Sequence, residues 1–150
     1  MLYEILKDEE FEAILNSHAK DLISFLIEKE EPFGILAKTE NVKFDPQLPE
    51  HIIESFGEFT LFLLMNYTLQ SAAVDQNAIR FEAGFGAENF GSVVEVPLES
   101  ILQITVDDTP IFVNLGATIH KKRSSNLKSS MDALLSNPEN RKLLKKKRKK

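Results

Sequence analysis

The sequence contains no cysteine, which excludes disulfides, thiolate zinc sites, iron–sulfur ligation and thiol catalysis together. Any chemistry must use oxygen or imidazole. Histidine is scarce as well: His18, His51 and His120 stand far apart with no second ligand two to four residues away, so no metal site is expected. No apolar run reaches the ~18 residues a spanning helix needs. The opening Met1-Leu-Tyr-Glu lacks the basic-then-apolar signature of a signal peptide, and a cytoplasmic protein without a membrane partner is expected. There is no GxSxG elbow and no phosphate-binding P-loop, no catalytic residue stands out, and neither an enzyme nor a cofactor is expected.

What is present fits one folded domain: 150 residues, 43% hydrophobic and 27% charged. The net charge of −5 conceals an asymmetry. Residues 1–119 hold six basic against 21 acidic side chains, a balance of −15, whereas residues 120–150 hold 12 against two, a balance of +10.

Between Asp8 and Glu30, apolar residues recur at Phe11, Ile14, Leu15, Leu22, Phe25 and Leu26, the spacing of one helix face. Asp8 is placed to cap this helix, Glu9 and Glu10 suit its positive end, and Pro32 with Gly34 is expected to stop it. The period then changes. Segments at 33–37, 42–44, 59–67, 79–85, 93–96 and 101–106 are short, β-branched or aromatic, and separated by turn residues, so they read as strands. Ile79, Phe81, Ala83 and Phe85 alternate with Arg80, Glu82 and Gly84, while the near-continuous apolarity of 59–65 fits a strand covered on both sides or, by periodicity alone, a short buried helix. Pro97-Leu-Glu-Ser reads as a tight turn, and Gly84, Gly86 and Gly91 read as turn and bulge glycines.

Beyond Gly116 the composition shifts to Lys, Ser and Asn, predicting a flexible basic tail over 117–150 behind a folded domain over 1–116. The tail ends in Arg141-Lys-Leu-Leu-Lys-Lys-Lys-Arg-Lys-Lys, which places two leucines inside dense positive charge. Clustered Lys and Arg make nucleic acid a possible partner of this tail. The acidic folded part and the absence of tail aromatics weigh against that partner.

The stretch from Pro49 to Gly116, with the helix before it, resembles the stringent starvation protein B family, adaptors that deliver tagged proteins to the ClpXP protease. The resemblance is carried by Ala78-Ile-Arg-Phe-Glu-Ala-Gly-Phe-Gly followed by Val93-Val-Glu-Val-Pro-Leu-Glu-Ser-Ile-Leu-Gln-Ile. It implies a mainly β fold with an N-terminal α-helix, a small Sm-like β-barrel or sandwich, and then the flexible tail. It also implies a non-catalytic adaptor that binds ssrA-like tag peptides in a groove. The residues assigned to that groove are Met65, Tyr67, Phe81, Ala83, Gly84, Phe85 and Gly86, with Ala83 and Gly84 giving a peptide backbone room and the aromatics walling its pockets. Where the family commonly has a polar amide and an arginine flanking the alanine, this chain has Glu82 and Gly84. Docking on ClpX falls to Arg141, Leu143, Leu144 and Lys145. The wide apolar stripe predicts a homodimer through Phe11, Leu15, Leu22, Phe25 and Leu26, and the alternative function is an Sm-like RNA-binding protein with a basic tail.

Overall fold

The computed structural model describes residues 1–119, of which Met1–Thr118 form one compact unit. His120 and the residues expected to dock on ClpX, Arg141, Leu143, Leu144 and Lys145, lie outside the described residues. A short helix α1 (Leu2–Lys7) precedes the long helix α2 (Glu9–Glu28). Asp8 caps α2 as expected, its carboxylate accepting from the Glu10 and Phe11 N–H groups at 2.7 and 3.3 Å. The other end closes differently from the expectation. Glu30 takes the left-handed conformation at φ 56°, its N–H donates to Ile27, and the Glu31 N–H reaches back to Leu26. Gly34 is therefore a strand residue rather than a helix stop. Thr105 Oγ1 would stand 2.7 Å from a Cβ there, so the missing side chain lets two strands lie close.

Among the described residues, eight strands build two four-stranded antiparallel sheets. The first has the order β3 (Phe59–Leu64), β1 (Phe33–Lys38), β7 (Ile101–Val106), β8 (Thr109–Val113). The second has the order β2 (Lys43–Asp45), β6 (Phe90–Pro97), β5 (Ala78–Phe85), β4 (Ala73–Val74). The chain crosses between sheets at two 3₁₀ corners, Thr39–Asn41 and Leu98–Ser100, and Asn41 Nδ2 donates to Ser100 Oγ at 3.0 Å to tie them together. These corners correct the barrel expectation: β3 and β8 edge one sheet, β2 and β4 the other, and the strands do not close on themselves.

The core lies between the sheets. Ile35, Phe62 and Ile104 meet Phe44, Phe81 and Val94 across it, with the Phe62 and Phe81 rings 5.8 Å apart. Helix α2 adds Ala19, Ile23 and Leu26. Leu26 is thus core, not dimer surface; Leu15 and Leu22 are partly buried against the same core, Phe11 is half-buried, and Phe25 and Ile14 stay more than half exposed.

Segment 59–67 is not one strand covered on both sides. A short helix α3 (Glu50–Ile53) precedes strand β3, which stops at Leu64; a helix α4 (Asn66–Ser71) follows, and Leu61 and Leu63 are 48% and 56% exposed because β3 is an edge strand whose outward face is open. The folded part also runs past Gly116: Leu115–Thr118 forms a 3₁₀ turn in which the Ala117 N–H donates to Asn114 O, and Ala117 is buried.

Candidate functional site

Strand alternation sends Ile79, Phe81 and Phe85 of β5 toward the core and Arg80, Glu82 and Gly84 outward. The antiparallel register then sets three rows across the outer face of the second sheet. Lys43, Glu95 and Arg80 form the first, Asp45, Val93 and Glu82 the second, and Gly91 opposite Gly84 the third. In the first row Arg80 is engaged on both sides. Arg80 donates to Glu95 at 3.1 Å and to Asp75 at 2.8 Å. The Asn77 N–H above all, then the Arg80 guanidinium and the Ala78 N–H, hold the Asp75 carboxyl down at about 2. The third row is a floor without side chains of its own: a Cβ on Gly91 would meet nothing within 4 Å, whereas the Asn89 side chain fills the space over Gly84, so the room expected at Gly84 is open at Gly91 instead.

Two walls stand over this floor. On one side α4 is fastened to β5 by Ser71, whose hydroxyl accepts from the Glu82 N–H at 2.9 Å and donates to Thr68 O at 2.8 Å. From the same helix Tyr67 Oη donates to Glu82 Oε1 at 2.6 Å. That hydrogen bond, reinforced by the negative carboxylate, raises the phenol's pKa above its ordinary 10.0, so Tyr67 stays protonated. On the other side Ser92 Oγ donates to Pro46 O at 2.8 Å, holding the chain after β2 against β6. Between the walls is an open cleft of about 590 Å³, lined among others by Asp45, Pro46, Tyr67, Thr68, Gly91 and Val93. Among the described residues, neither Asp45 nor Glu82 forms an ion pair.

Of the residues assigned to a groove from the sequence, Tyr67, Ala83 and Gly84 line this cleft, although the Ala83 side chain packs against the core. Phe81 does not wall it. It is 2% exposed in the core, and Phe85 turns the same way to stack edge-on against Phe44 at 5.7 Å, because odd-numbered β5 residues face inward. Met65 precedes α4, exposed and outside the cleft lining, and Gly86 occupies the β5–β6 turn at φ 76°. Gly84 and Gly91 are paired strand residues rather than turn glycines, so only Gly86 fits the turn reading. The groove assignment lacked Asp45, Pro46, Gly91 and Val93. The alternation of β5 and its pairing across an FG turn carried the signal for Gly91 and Val93, whereas nothing local marked Asp45 and Pro46.

Among the described residues, no three His, Asp or Glu side chains are grouped to hold a metal ion, and no helix is long and apolar enough to cross a membrane. No protein-family model and no curated protein matches the sequence.

Proposed function

We propose that this chain is a non-catalytic adaptor of the kind the stringent starvation protein B resemblance implies, a cytoplasmic protein that holds an ssrA-like tag peptide and hands the tagged protein to ClpXP. The observation that carries the reading is the cleft on the second sheet, where the open position over Gly91 lies between Tyr67 and Pro46. An extended peptide needs such a place, where its backbone can lie flat while its side chains meet shallow walls. The two sheets joined at their 3₁₀ corners are read as an opened Sm-like arrangement. The terminal Arg141, Leu143, Leu144 and Lys145 then serve as the contact with ClpX, so that two weak contacts on one chain act as one strong one. A homodimer through α2 would use the side that keeps Ile14 and Phe25 exposed.

The RNA-binding alternative would depend on the basic tail, because the cleft presents carboxylates to any phosphate. Fluorescence anisotropy with an ssrA-like peptide and with single-stranded RNA separates the two readings. The adaptor binds the peptide saturably at moderate salt. Binding of RNA alone, falling steeply with salt, reverses the ranking.

A further inference from the structure

We infer that the peptide taken by this cleft carries a basic side chain, Lys or Arg, at the position that meets Glu82 and Asp45; this rests on the peptide-binding reading above. The register places Asp45, Val93 and Glu82 side by side on one face, with Val93 in the middle and 41% exposed. The two acidic residues are two strand spacings apart, about 10 Å, so a single long side chain lying over Val93 reaches either carboxylate. Its aliphatic stem covers the Val93 isopropyl group, its charged head meets a carboxylate, and the exposed Tyr67 ring offers a π face beside it.

The neighbouring charges make the preference directional. Of the two outward cations in the adjoining row, Arg80 is committed to Asp75 and Glu95 and Lys43 stands opposite Glu95, while the Tyr67 hydroxyl that Glu82 accepts from is a neutral donor. An acidic residue in the peptide would face two carboxylates that form no ion pair among the described residues, on a segment 1–119 whose net charge is −15. A basic residue meets complementary charge instead.

The test uses the full chain and fluorescein-labelled ssrA-like peptides in which lysine, norleucine or glutamate is placed at each position in turn, titrated at physiological ionic strength. Norleucine keeps the stem and removes the charge. At one position lysine should bind about tenfold tighter than norleucine, with glutamate weakest. Glu82→Gln, which keeps an acceptor for Tyr67, should reduce that preference to under about threefold, and Asp45→Asn should reduce it in part. Glu31→Gln makes the same change in net charge on an exposed loop residue and should leave the preference intact. Equal affinity for all three peptides at every position overturns the inference while leaving the cleft a peptide site. Equal loss in Glu31→Gln also overturns it, assigning the preference to overall charge. Binding of no peptide overturns both the inference and the reading beneath it.

Discussion

Tyr67 at the start of α4 donates its phenolic proton to Glu82 in the middle of β5 at 2.6 Å, joining the wall of the cleft to its floor. Because the carboxylate stabilises the protonated phenol, Tyr67 titrates above 10.0. Glu82→Ala removes both the acceptor and the negative charge, and the Tyr67 pKa is expected to fall back toward 10.0. Ultraviolet absorbance titration in a Tyr3→Phe background reads this single phenol, since the chain has two tyrosines. An unchanged pKa would show that the pair does not form in solution.

Phe81 separates core from cleft. Replacing it by Ala leaves a cavity between the sheets beside Phe62, with an expected cost of about 3–5 kcal/mol in chemical denaturation. A cost under about 1 kcal/mol, the range of an unconstrained surface site, would place this ring outside the core.

Asp75 predicts a defined acid response. Its carboxyl ionises at about 2 in the folded chain against an ordinary 3.8, so the folded state binds the proton less readily than the unfolded one. The stabilisation is complete above 3.8 and is lost as pH falls through about 2. Asp75→Asn should therefore lower the melting temperature at neutral pH, with the difference from the parent shrinking across that acid window. A difference that grows as pH falls would contradict the assignment.

Deleting Arg141–Lys150 should leave peptide affinity unchanged within about twofold, because the cleft is built from residues 45–93, and should abolish accelerated degradation of a tagged substrate by purified ClpXP. Full acceleration by the truncated chain would remove Leu143 and Leu144 from the docking role.

The parts of the fold legible in the sequence were those governed by local physics. The 3.6-residue period and Asp8 mark α2, and the alternation from Ile79 to Phe85 marks β5. Strand β8 escaped because Pro110 argues against a strand, yet β8 is an edge, where a missing N–H need not break a ladder. The helix stop at Glu30 was hidden because an acidic residue takes a conformation usually left to glycine. At the site, the alternation already put Phe81 on the face opposite Glu82 and Gly84, so assigning both faces to one groove was inconsistent with the strand itself. Asp45 and Pro46 reach the cleft only through the pairing of β2 with β6, a contact between residues about fifty positions apart that no local pattern encodes.

A peptide lying over the open backbone at Gly91 would collide with any large side chain placed there. Open space at the Gly91 Cβ position allows a larger side chain without displacing the protein, and a strand gains rather than loses from replacing glycine. Gly91→Leu should keep the parent's melting temperature within a few degrees while weakening the tightest ssrA-like peptide at least about tenfold in anisotropy titrations, because the leucine occupies the peptide's place. Undiminished peptide binding by a folded Gly91→Leu chain, or no saturable peptide binding by the parent, would contradict the account.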